Sequence, residues 1–200
     1  MIIIGNFIKD FPFAEKADEN PWKIIESISK KIKDKLPTLG ADFTISNDIA
    51  IHKSAVIENG VVLKPPVIVC ANVFIAANAY LRGGVYLGNA VSVGPGCEIK
   101  SSVICANTAL AHFNFIGDSL IGSHVNFEAG SLTTNFHNDK VDKEIYVRYG
   151  SKSIRTNLNK FGSLIGDYSK IGANAVLSPG TLLLPNTIVG RLQLVNQNSD

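Results

Sequence analysis

The sequence predicts an all-β fold, a parallel β-helix wound from six-residue repeats, and two observations carry that prediction. The first is a run of aliphatics in unbroken steps of six: Ile45, Ile51, Ile57, Leu63, Val69, Ile75, Leu81, Leu87, Val93 and Ile99. The second is a small or apolar residue four positions after each of these up to Val93, namely Ile49, Ala55, Val61, Val67, Val73, Ala79, Val85, Val91 and Cys97. A period of six suits neither an amphipathic helix nor one long alternating strand. It suits short parallel strands stacked as a coil, with about eighteen residues per turn if the cross-section is a triangle. Each first position then meets its equivalent in the next turn about 4.8 Å away. At roughly 1.5–3 kcal/mol per buried aliphatic, this column is the main stabilisation of the fold.

Beyond Ile99 the period continues with two slips. Ile104 follows after five residues, Leu110 and Ile116 resume the six, Ile121 again follows after five, and Phe127 comes next. After a gap the register returns as Ile165, Ile171, Leu177, Leu183 and Val189. The slips coincide with polar residues gathering between Lys100 and Asn126.

Taken in order, residues 1–19 mix apolar and charged residues without a period, and no element is assigned to them. A helix is predicted over about 20–36. Asn20 can cap it and Pro21 suits its first position, while Trp22, Ile25, Ile28, Ile32 and Leu36 form an apolar stripe. Pro37 and Gly40 end it. As a solenoid needs a cover for its open first coil, the helix is expected to cap that end; docking a partner is the other reading. An N-terminal segment thus occupies residues 1–40 and the β-helix 41–195. Residues 131–163 interrupt the repeat with a charged insertion holding Tyr146 and Tyr149, and long excursions from regular folds tend to carry function. The tail VNQNSD is expected to fray.

Composition narrows the function. Two hundred residues suit one domain, and a net charge of +2 argues against a nucleic-acid surface. No apolar run reaches the roughly 18 residues that span a bilayer, and the start lacks the basic leader of a signal peptide. A cytoplasmic location is expected. Cys70, Cys97 and Cys105 lack metal-ligand spacing and read as reduced packing thiols. The four histidines show no paired ligand spacing either, so no metal is expected.

Chemistry concentrates between Leu81 and Phe136. Arg82 and Lys100 each follow the first residue of a hexad and lie one coil apart, so they should stack on one edge. Two stacked cations attract a phosphate or carboxylate between them; two solvated surface charges are the plainer alternative. His112 stands at a coil corner, where an imidazole can act as a general base or serve structure alone. Asn126 and Asn135 can fix sugar hydroxyls or orient an imidazole, although turns also favour asparagine.

These segments, LRGG at 81–84, CEIK at 97–100, HFNFIGDSLIG at 112–122 and VNFEAGSLTTNF at 125–136, resemble the acetyltransferase domain of the bifunctional glucosamine-1-phosphate acetyltransferase / N-acetylglucosamine-1-phosphate uridyltransferase family. That family reads LRPG, EMKK or EIK, HLTYLGDAEIG and VNIGAGTITCNY at the same separations. NPWKIIE near residue 20 and KFGSLIGDYSKIGANAVLSPG at 160–180 are similar to the archaeal-type sugar-1-phosphate nucleotidyltransferases. The resemblance implies a left-handed coil and acetyl-CoA as co-substrate. It implies Arg82 and Lys100 on a sugar phosphate, His112 as general base, and Asn126 and Phe115 against the sugar. Asn135 would orient the amine and the imidazole, with the backbone at Ala129 and, along the later coils, Ala173 facing acetyl-CoA. A homotrimer with its sites between subunits is implied as well.

Three departures stand out. Phe115 and Phe136 replace the family's tyrosines, Lys140 stands one position short of its lysine, and the nucleotidyltransferase portion is missing. Uridyl transfer is therefore not expected, and a separate nucleotidyltransferase is a candidate partner. The leading reading is an N-acetyltransferase acting on an amino-sugar phosphate such as glucosamine-1-phosphate. The alternative is a non-catalytic module binding sugar phosphates or nucleotide sugars.

Overall fold

The structure, a computed structural model, describes residues 2–13 and 19–197. The repeat folds into a left-handed parallel β-helix with three flanks. Successive coils lie in parallel register, as in Val67↔Val85, Leu81↔Ile99 and Val176↔Leu194. From Ile75 to Val189 the first-position residues form a buried column with Val73, Ala79, Val85, Val91 and Cys97 beside it. One flank is a seven-stranded sheet, while the other two join into a thirteen-stranded sheet because strands Tyr80–Leu87 and Glu98–Ile104 run round the corner between them.

That corner explains the slips of five. Arg82 pairs with Lys100 and Val85 with Ser102, so Gly83 and Gly84 face Ser101 alone and form a bulge. The coils below turn with one residue fewer, through Ser101 (φ 47°) and Asp118 (φ 46°). The buried polar side chains there bond the backbone within and between rungs. Ser102 Oγ accepts from the Ser119 amide at 3.0 Å, and Ser119 Oγ donates to Gly117 O at 2.7 Å.

The structure corrects several expectations. The buried column does not include Ile45, which is exposed. Its strand, Phe43–Ser46, turns back antiparallel on Ile49–His52. Asn47 and Asp48 both adopt positive φ (49° and 60°), the geometry of a two-residue hairpin. The helix is broken in two, α1 (Pro21–Glu26) and α2 (Ile28–Lys35), where Ser27 Oγ bonds the carbonyls of Lys23 and Ile24. Asn20 caps through its backbone carbonyl only, which accepts from Lys23 and Ile24. Neither helix covers the first coil. Both lie along one flank, because the outward residues there are apolar: Ile68, Tyr86, Val103, Leu120, Leu164 and Leu182.

A second core forms on this flank. Ile2, Phe7, Ile8, Phe11 and Phe13 enter it, and Asp167 ties their segment down by accepting from Lys9 N at 3.0 Å and donating its amide to Phe7 O at 2.9 Å. The insertion begins later than 131, since Leu132 and Thr133 remain in register with Phe115 and Ile116. Beyond them the chain forms an antiparallel hairpin, Tyr146–Tyr149 with Lys152–Arg155, and buries Ile145, Val147 and Phe161 in the second core. The tail is pinned as far as Gln197, whose amide exchanges two 2.8 Å bonds with Leu182; the rest of VNQNSD lies outside the described residues. All three cysteines are buried and free. Among the described residues no helix is long and apolar enough to cross a membrane.

Candidate active site

Arg82, Lys100 and Gly117 are register partners on three successive rungs, so the two cations do stack on one flank. With Phe115, Asn135, Phe136 and Lys160 they line a shallow cavity of about 490 Å³. Gly117 is required here: a Cβ on it would meet the Phe115 ring at 2.7 Å and Asn135 Cγ at 3.0 Å. Its bare backbone lets both side chains close over the rung.

The charges are arranged differently from what spacing suggests. Each stacked cation already has a carboxylate. Lys100 Nζ donates to both oxygens of Asp118, at 2.8 and 2.6 Å, in a largely buried pair. Asn135 donates to the same Asp118. Arg82 bonds Glu98 Oε1 through Nε at 2.8 Å and through its terminal nitrogen at 2.7 Å, and its guanidinium lies 5.9 Å from the Tyr80 ring centroid. The mutual repulsion of the pair is therefore relieved inside the chain. Lys160, which sequence reasoning missed, is exposed and has no carboxylate partner among the described residues. It comes from the end of the excursion, whereas Lys140 is not among the cavity residues. Asp118 was also missed, although it lies within a motif that drew notice.

His112, Ala129 and Ala173 belong to one corner of the coil. The Gly130 amide donates to His112 O at 2.9 Å and the Asn174 amide to Ala129 O at 3.0 Å. His112 is exposed and three residues before Phe115, which places its Cα within about 10 Å of that rung. Its ring has no hydrogen-bond partner among the described residues. The Ala173 amide donates to Glu128 Oε2 at 2.8 Å, and Arg191 grips the same carboxylate with two bonds. The arginine, then the amide, hold the Glu128 carboxyl down at about 2. A cofactor at Ala173 would have to displace that carboxylate, whereas the Ala129 amide carries no such bond among the described residues. Asn126 is not brought to the cavity. It faces out from the seven-stranded flank beside Ala109 and Lys170, because its neighbour Phe127 takes the inward position. Among the described residues no three His, Cys, Asp or Glu side chains converge on a metal position.

The basin can thus seat an anion at its cationic end, with an imidazole and an unbonded amide at the adjoining corner. Residues 66–101 match the bacterial transferase hexapeptide (six repeats) family. The chain is 34% identical over 106 residues to the bifunctional protein GlmU of Methanococcus maripaludis, and 33% identical over 105 residues to the bifunctional sugar-1-phosphate nucleotidylyltransferase/acetyltransferase of Sulfurisphaera tokodaii. The matched stretches cover 53% and 50% of this chain, but only 25% and 26% of those relatives. A solved hexapeptide transferase family protein from Anaplasma phagocytophilum shares the fold, with a TM-score of 0.51 over 70% of this chain and 72% of that one, at 17% identity. The coiled repeat of this chain thus carries a stretch that matches the bacterial transferase hexapeptide model at 66–101, and the chain is similar to about a quarter of the length of the bifunctional archaeal proteins.

Proposed function

We propose that this chain is an acetyl-CoA-dependent N-acetyltransferase acting on an amino-sugar phosphate such as glucosamine-1-phosphate. The observation that carries the reading is the in-register stack of Arg82 and Lys100 beside Phe115 and Asn135, next to the corner that bears an exposed imidazole. The names of the matched relatives support acyl transfer to a sugar. In the proposed step the substrate amine attacks the thioester carbonyl. His112 accepts the amine proton as the C–N bond forms, and returns it to the departing CoA sulfur. The Ala129 amide is placed to steady the oxyanion. The phosphate end sits over the Arg82 flank, with Asn135 held toward it by Asp118.

The basin is open on one side, which suits a site completed by a second copy. A homotrimer is the assembly we propose, with Asn126 contributed across the boundary. The reading further places the chain in the cytoplasm, working beside a separate nucleotidyltransferase. A non-catalytic sugar-phosphate module is the second reading, favoured by Phe115 and Phe136, which lack hydroxyls. CoA release assayed over a panel of amino-sugar phosphates separates the two. Release is expected, and His112→Ala should lower it by about 10²–10⁴-fold. A wild-type protein that binds phosphorylated sugars and never releases CoA is a binding module.

A further inference from the structure

At the corner that bears His112, one residue of each coil takes a left-handed backbone. Down the coils these are Gly60, Asn78, Gly96, Phe113, Gly130, Asn174 and Leu192, all at φ between 53° and 85°. The first six form three pairs, in which a side chain reaches back over the glycine one rung earlier: Asn78 over Gly60, Phe113 over Gly96 and Asn174 over Gly130. Asparagine tolerates this conformation, whereas a bulky aromatic is an outlier in it. Phe113 departs from the other two pairs in a second way, since its side chain is apolar and the residue is 69% exposed. Strain of this kind persists where the position has a use beyond packing. The ring is also braced. A Cβ on Gly96 would meet two of its carbons at 2.6 Å, so the ring rests on that backbone and cannot retreat toward it.

The surroundings of the ring indicate what it meets. His112 precedes it in the chain. Pro95, which has no N–H, lies on the rung before, and Ala129, whose amide is unbonded among the described residues, lies on the rung after. The ring thus closes the corner on the side away from the Ala129 amide. Resting on the reading that His112 and that amide flank a thioester carbonyl, with the CoA arm along the later coils, we propose that Phe113 sets the length of the acyl group. The free end of the acyl group then points away from the arm, toward Gly96, and the ring stands there as a wall. An acetyl methyl fits in front of it, while each further methylene must enter the space that the ring holds. The strained backbone at residue 113 is what turns the ring across the corner.

CoA release from acetyl-, propionyl- and butyryl-CoA, with glucosamine-1-phosphate as acceptor, tests this alongside calorimetric binding of the three thioesters without acceptor. The wild type should favour acetyl-CoA over butyryl-CoA by about 10-fold or more in both, the discrimination that a pocket wall achieves against added methylenes. Phe113→Asn gives the corner the residue used in its other two pairs, so its unfolding midpoint should hold or rise. Its preference should shrink to under about threefold, by gaining butyryl-CoA rather than by losing acetyl-CoA. Equal handling of the three donors by the wild type, or a wild-type preference kept in Phe113→Asn, overturns the proposal. A kept preference together with a changed mass in sedimentation would assign the ring to a contact with a second copy instead. Acyl discrimination in binding that depends on Phe113 without any CoA release sinks the acetyltransferase reading alone. Release with a preference indifferent to Phe113 sinks the acyl wall alone, and thioesters that do not bind at all sink both.

Discussion

Asp118 accepts from Lys100 and Asn135, donates its amide to Lys100 O at 2.8 Å and receives the Gly162 amide at 2.9 Å, so four segments of chain meet at one residue. Removing its carboxylate leaves the Lys100 ammonium buried and unpaired. Asp118→Ala should therefore cost about 3–5 kcal/mol. At roughly 2–4 °C per kcal/mol for a chain of this size, the unfolding midpoint falls by about 10 °C. Denaturant titration checks it, and a loss under 1 kcal/mol would show that the pair does not hold the basin. The sequence made the alignment of Arg82 with Lys100 readable, since a fixed coil length converts spacing into register. Their carboxylates were not readable, because Glu98 and Asp118 reach sideways to neighbouring rungs and no periodicity records side-chain reach. Lys160 was hidden for another reason: it follows an aperiodic stretch whose path depends on burying Ile145, Val147 and Phe161.

Among the elements, α2 shows how local pattern and placement separate. Its apolar stripe at Ile28 and Ile32 was legible, and both residues are buried. Where it lands was not, because the repeat drew attention to inward residues and away from the outward Ile68, Val103 and Leu120 that receive it. Close approach depends on Gly84. Its φ is +97°, and a Cβ there would meet Ser29 Cα at 3.0 Å and Ser29 N at 3.1 Å. Both faults act on the helix, since the neighbour is backbone and cannot swing aside. Gly84→Ala should destabilise by about 1–3 kcal/mol and speed amide exchange in 28–35 beyond the exchange of the coils. Equal acceleration in helix and coils, or no change in the helix amides, would mean that α2 is not seated on this bulge.

For the whole molecule, stability passes from coil to coil, each contacting its neighbours, so the ends are looser than the middle. Glu128 works against this at the C-terminal end by joining its own coil to Ala173 and Arg191 on the two that follow. Its carboxyl lies near 2 when folded against an ordinary 4.5. A lowered folded value means that the clip contributes fully above the ordinary value and is lost as pH falls from there toward 2. Amides of 188–195 should accordingly exchange faster at pH 2.5 than at pH 5, after correction for intrinsic rates, while those around Val93 and Ile99 remain protected. Arg191→Ala should show the fast exchange already at pH 5. If the variant keeps wild-type protection there, the clip is not what holds the last coil.

The bulge at Gly83 and Gly84 and the shortened turns below it have a consequence for how such chains can change length. Arg82, Lys100 and Gly117 are counted off by rungs, about 4.8 Å apart. Duplicating a whole coil upstream of Tyr80 or downstream of Val176 lengthens the prism and leaves this spacing untouched. The same duplication between Arg82 and Asn135 would move the guanidinium one rung away from the amide, a distance no side-chain rotation recovers. Coil number is therefore free to drift at both ends of the molecule and fixed in the middle, and the basin acts as a ruler laid across the repeat.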